Sequence, residues 1–214
     1  MKRKLLTLIS CVGLLAMVSC DGGIGGTLTS NIDLNVLENE AETRKIYDEI
    51  VKHLGDQITK VDEVKFYISN PDEKSIKREG DKVEMSLTLD VLSPSDPKKI
   101  KRMNYWSSSN GWQAPQTMEV SLSGAASAKQ KENFNLESTM WNFKEKVSFE
   151  TLTKIIKESI AKNNKDPKKY TYRYIHSIDI TSKGYSVSIH AKLASNDQKV
   201  NEYYKFGFDG KFRR

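Results

Sequence analysis

Few residues in this 214-residue chain are of the types that do chemistry. Cysteine occurs at Cys11 and Cys20, and histidine at His53, His176 and His190. No cysteine follows Cys20, so the rest of the chain has neither a disulfide framework nor a thiolate metal centre. The histidines do not stand in HxxxH or HxH spacing, and no histidine-rich metal site is expected. A serine nucleophile would need a GxSxG elbow or an SxxK with a matching base, and Ser107-Ser108-Ser109 has neither. The 28 acids offer no spacing that singles out two carboxylates for glycoside chemistry. His190 falls on the polar face of its strand, where solvent or a cross-strand partner accounts for it. No catalytic residue, metal ligand or cofactor is therefore assigned, and the chain is not expected to be an enzyme.

The aromatics carry more. Tyr105, Trp106 and Trp112 cluster around one hairpin, and Tyr203, Tyr204, Phe206, Phe208 and Phe212 around a similar one. Sequence neighbours on a strand face opposite ways, so Tyr105 and Trp106 cannot both enter the core. Met103 and Tyr105 share the core phase, which leaves Trp106 pointing out. The Asn110-Gly111 turn then keeps Trp112 at the same end of the hairpin. Trp106 and Trp112 are the candidate binding residues, because aromatics are enriched in recognition surfaces. The alternative is that residues 123–147, with Trp141, close over them.

Cys20 has its own context. Lys2-Arg3-Lys4 form a positive start, residues 5–18 an apolar run, and small Ser19 precedes the cysteine. That is the pattern of an export signal, and the run is short for a membrane-spanning helix of ~20 residues. A plain secretory peptide or an N-terminal anchor helix are the alternatives. At Met17-Val18-Ser19-Cys20 the chain resembles the lipobox of bacterial lipoproteins, departing at Met17, where the family favours Leu. The resemblance implies cleavage before Cys20, diacylation of its sulfur and, usually, acylation of the new amine. Leu8-Ile9-Ser10-Cys11 is a competing box, but it would strand apolar Val12–Val18 in the mature chain. Two or more acyl chains hold a protein stably on a membrane at ~0.8 kcal/mol per buried methylene. The expected address is a bacterial membrane facing the periplasm or the surface, with the outer membrane preferred.

The formal charge is +6, falling to +3 without Lys2, Arg3 and Lys4. That is too mild for nucleic acid, and no Lys/Arg cluster is interleaved with aromatics. The expected partners are the membrane, through the lipid, and another protein. Asp21–Ser30 is glycine-rich and reads as a flexible tether.

The elements that would position these residues come as a repeat. Val83–Val91 alternates apolar and polar residues, and Tyr185–Leu193 repeats the pattern 102 positions later. Period-two alternation suits half-buried antiparallel strands. Amphipathic helices precede both: one over 38–58, with Ile46, Ile50 and Leu54 on its stripe, and one over 148–163, with Ser148 as N-cap. Strands are expected at Val64–Ile68, 82–92, Ile100–Ser107 and Thr117–Leu122 in the first half. Tyr172–Ile175 matches Lys65–Ile68, and Tyr204 to Gly210 matches Tyr105 to Gly111.

The fold class is α+β, in two tandem units, each a helix on one face of a three- to four-stranded antiparallel sheet. The parts are a signal peptide (1–19), the lipidated cysteine and tether (20–37), a first unit (38–122), a linker (123–147) and a second unit (148–214). This order resembles the PepSY-like and β-lactamase-inhibitor-like folds of small exported lipoproteins. The resemblance implies a non-catalytic envelope protein that binds another protein or restrains an enzyme. The rival classes are an envelope hydrolase with a dispersed site and a structural subunit of an envelope assembly.

Overall fold

The computed structural model describes residues 32–213, apart from positions 57, 59, 77 and 110 and the segments 121–133 and 164–168. The expected signal peptide, Cys20 and most of the tether lie outside the described residues. So does the first part of the expected linker.

Alternation decides which side of each strand enters the core. Strand β1 (Val61–Ser69) buries Val64, Phe66 and Ile68, and β2 (Glu84–Ser93) buries Met85, Leu87, Leu89 and Val91. Strand β3 (Asp96–Trp106) buries Met103 and Tyr105 and leaves Trp106 exposed. Short β4 (Gly111–Trp112) and β5 (Gln116–Glu119) both pair with β3. Strand β6 (Tyr170–Thr181) is followed by β7 (Gly184–Leu193), β8 (Lys199–Phe206) and β9 (Phe212–Arg213). All pairings among the described residues are antiparallel, in the order β4-β3-β2-β1-β6-β7-β8-β9, with β5 beside β3.

Among the described residues the sheet is therefore one continuous layer of nine strands rather than two separate small sheets. The seam is β1 against β6, where Val64 faces Ile180 and Phe66 faces Ile178. All four are buried, so the seam is part of the core. Two strands that alternate in phase bury more apolar surface by pairing than by remaining sheet edges.

Both long helices lie on the same face of this sheet. Helix α1 (Glu40–Leu54) starts at Asn39, whose side chain accepts from the backbone N–H of Ala41 and Glu42. It ends at Gly55, whose φ of +54° a side chain would resist. The expected helix 38–58 is thus shorter at both ends. A one-turn helix, α2 (Phe143–Lys146), precedes α3 (Phe149–Asn163). Ser148 caps α3, its hydroxyl accepting from the Thr151 N–H at 3.1 Å. Ile46, Ile50 and Leu54 of α1 and Leu152, Ile155 and Ile156 of α3 join the buried strand residues in a single core.

The expected strand 64–68 extends to 61–69, and the Ser93–Pro97 break is a tight hairpin between β2 and β3. Residues 134–142 lie where a linker was expected. They place Leu136 and Met140 against Ile100 in a second, small core, then bridge Trp141 to Val61. Trp141 packs among Phe143 and Phe208 and gives its indole N–H to the Asp62 carbonyl. It therefore does not cover Trp106.

Candidate functional site

Trp106 and Trp112 do not share a surface. Cross-strand partners point to the same side, and Trp112 is the partner of Tyr105, not of Trp106. Trp112 therefore lies on the helix side. Its indole N–H donates to Glu49 Oε1 at 3.2 Å, and the His53 ring stacks on it with centroids 3.9 Å apart. Burial pushes the His53 imidazole below its ordinary pKa. The hairpin does keep both indoles at one end, as its turn implies, but on opposite faces of the sheet. A site built from both is corrected to Trp106 alone, 42% exposed on the face without helices.

That outer face is organised in rows across the strands. One row runs Trp106, Ser86, Tyr67, Ser177, Ser188 and Tyr203, from β3 to β8. Tyr203 is 67% exposed at its far end. The next row runs Asn104, Thr88, Lys65, Asp179, Ser186 and Lys205. Within it Thr88 donates to Asn104, and Lys65 pairs with Asp179 at 3.0 Å. A third row begins with Arg102 forked onto Asp90 at 2.6 and 2.7 Å. Five strand spacings separate Trp106 from Tyr203, about 24 Å at ~4.8 Å each. That is too far for one side-chain cluster but within the width of an ordinary protein interface.

The middle of the first row is covered. Ser177 and Ser188 are buried, and beside them the connection between β1 and β2 reaches over Tyr172, His190 and Lys199. It opens with a turn of 3-10 helix, Pro71–Glu73, capped by Asn70. Glu73 reaches across the sheet. One carboxylate oxygen lies 2.8 Å from His190 Nδ1, and the other accepts from the Tyr172 hydroxyl at 3.2 Å. Lys199 donates to the Glu73 carbonyl.

His176 joins this cluster because β6 carries a bulge. Ile178 faces Val187 and Ser177 faces Ser188, but one register step is lost before Ile175 faces Ile189. Strict alternation would send His176 into the core and Ile175 out. The extra residue reverses both, as bulges do. The His176 and His190 rings then stack 3.6 Å apart and 9° from parallel. His176 Nδ1 lies 3.4 Å from the Tyr174 hydroxyl. Burial, assisted by the neighbouring His190 charge, lowers the His176 pKa to about 4. Burial and then the Glu73 charge raise Tyr172 to about 12, and the same two causes push Tyr174 further up.

No motif in the sequence marks Glu73 or His176 for a role, and the position of His190 there fits a paired or solvated residue. Glu73 is 117 positions from His190, and no spacing rule connects them. The available signal was the phase break in Ile175-His176-Ser177-Ile178, where apolar residues stand three apart instead of two. Chemically, two imidazoles and a carboxylate can hold a proton, an ion pair or a metal. Four surface cavities, of about 300 to 760 Å³, are lined by other residues.

No family model matches the chain, and no curated protein matches it. It is similar to a solved structure of a candidate lipoprotein from Clostridium difficile 630, at 8% identity and a TM-score of 0.37. That similarity covers 85% of this chain and 97% of the other. A likeness at this level assigns neither family nor function.

Proposed function

We propose that this protein is exported, held on the bacterial envelope by lipid on Cys20, and acts there as a non-catalytic module that binds another protein. The outer membrane is the proposed site, and the membrane and the partner are the two things it touches. The observation that carries the binding role is the placement of Trp106 and Tyr203. Both are large aromatics exposed on the helix-free face, at the two ends of one cross-strand row. Exposed aromatics set among hydroxyl and amide side chains have the composition of interface anchors. The anchoring role rests on the charged, apolar and small-residue pattern ending at Cys20.

A two-unit organisation accompanies this reading. Strand order runs outward from the β1–β6 seam as β1, β2, β3, β4 on one side and β6, β7, β8, β9 on the other. Each half is preceded by a capped 15-residue helix. Such a duplication would place an equivalent aromatic flank at each end of the sheet.

The hydrolase reading has one observation in its favour, the Glu73–His190 pair. A catalytic base needs substrate access and a reacting group beside it. Four of the surface cavities border neither residue.

Site-specific photo-crosslinking in intact cells tests the binding role. A crosslinker at Trp106 or Tyr203 is expected to capture one discrete envelope protein. A crosslinker at Lys157 or Lys154, on the helix side, is expected to capture none. Equal capture from both faces, or none from the outer face, overturns the assignment.

A further inference from the structure

The geometry points to a binding site for one divalent transition-metal ion, of the zinc, nickel or copper class, formed by Glu73, His176 and His190. One ligand atom from each of the three lies within 4.8 Å of the others. Metal bonds of ~2.1 Å in a tetrahedral site place ligand atoms roughly 3.4 Å apart. The ligand atoms therefore need to close by no more than about 1.4 Å to hold an ion. Two imidazoles and one carboxylate form a nitrogen-rich set of borderline softness, which suits these ions rather than calcium or magnesium. Three protein ligands leave the fourth tetrahedral position open.

Three further observations bear on the site. The β6 bulge is what turns His176 out beside His190, and bulges re-aim side chains next to functional sites. His176 Nδ1 also lies 3.4 Å from the Tyr174 hydroxyl, the kind of second contact that fixes the ring of a ligating histidine. Ser188 lies two residues from His190 on the same face of β7, buried to 4% exposure, with its hydroxyl unpartnered. A water on the open metal position would give that hydroxyl a partner.

The rings must move to bind. An imidazole lone pair lies in the ring plane, so parallel rings 3.6 Å apart aim their lone pairs side by side rather than at one point. Rotation about the side-chain bonds of His190 would exchange its Glu73 contact for the ion. Glu73 belongs to the connection between β1 and β2, so the ion would tie this segment across β6 and β7.

The test is titration of the purified full chain in detergent with Zn²⁺ and Ni²⁺, followed by calorimetry and by metal analysis after dialysis. The expected result is about one equivalent per chain, with a rise in the thermal midpoint. Glu73→Gln, His176→Gln and His190→Asn are each expected to weaken binding at least tenfold. His53→Ala, on the other face, should leave it unchanged. Absence of stoichiometric binding overturns the site and leaves Glu73 and His190 as a proton-held clasp. Binding that survives His190→Asn and His176→Gln places the metal elsewhere and overturns it equally. Neither result bears on the crosslinking at Trp106 and Tyr203.

Discussion

Ile178→Ala probes the seam on which the continuous sheet depends. Ile178 is fully buried and lies between Phe66 on β1 and Val187 on β7, both buried as well. Truncating a buried Ile to Ala costs ~2–5 kcal/mol, and the cost grows with the cavity that remains. Here the backbone is pinned by ladders on both sides, so the cavity has little freedom to collapse. The upper half of that range applies, about 4 kcal/mol. For a body of this size 1 kcal/mol moves the thermal midpoint by ~2–4 °C, so a drop of roughly 8–16 °C is expected. Thermal and urea unfolding, followed by tryptophan emission and far-ultraviolet circular dichroism, should give one coincident transition before and after the change. Tyr203→Ala, on the open face, should stay within about 0.5 kcal/mol of the parent. Two transitions, only one of them moved by Ile178→Ala, would show that the halves fold independently and that the seam is not part of a shared core.

Three other outcomes are expected. Cys20→Ala should move the protein from the detergent to the aqueous fraction and abolish incorporation of labelled fatty acid, whereas Cys11→Ala should not; the reverse pattern would put the processing site at Cys11. Gly184→Ala should be strongly destabilising, because a Cβ there would sit 2.2 Å from the Phe206 carbonyl oxygen at a φ of +106°. Gly80→Ala, also at positive φ but with no atom within 4 Å, should be much milder in the same melting assay. Trp112 emission should titrate with His53, since a protonated imidazole stacked on an indole quenches it. Burial lowers the His53 pKa, so the charged form appears, and emission falls, only as pH drops through a midpoint below 6.5. His53→Ala should remove that step, and a midpoint at or above 6.5 would contradict the burial argument.

Much of the body was legible because it follows period rules. Val83–Val91 and Tyr185–Leu193 alternate, and Met85, Leu87, Leu89 and Val91 of the first enter one core with Tyr185, Val187 and Ile189 of the second. Ser148 was readable as a cap, and the stripes of both long helices face the sheet. The joining of the halves was not legible. Alternation says which face of β1 and β6 is buried, but not which strand lies beside them. Nothing local to Val64–Ile68 distinguishes an edge strand from a central one. The fate of Trp112 was missed for a related reason. The turn fixes the end of the hairpin, whereas the register, Tyr105 against Trp112, fixes the face.

The histidine–glutamate cluster shows how a small local irregularity can build a site that no motif records. With unbroken alternation, β6 would turn His176 into the apolar core and Ile175 out onto the polar face beside His190. Both placements are unfavourable, because an imidazole loses hydration in an apolar core and an isoleucine gains nothing by exposure. One inserted residue relieves both at once, and the strand then runs on with Tyr174 opposite His190. The same step crowds two imidazoles at 3.6 Å, an arrangement that two charged rings would resist. The carboxylate that reaches them comes from Glu73, which arrives only because the β1–β2 connection folds back over β6 and β7. The chemistry-bearing residues are thus assembled by two features that composition and spacing do not encode, a register slip and a folded-back loop.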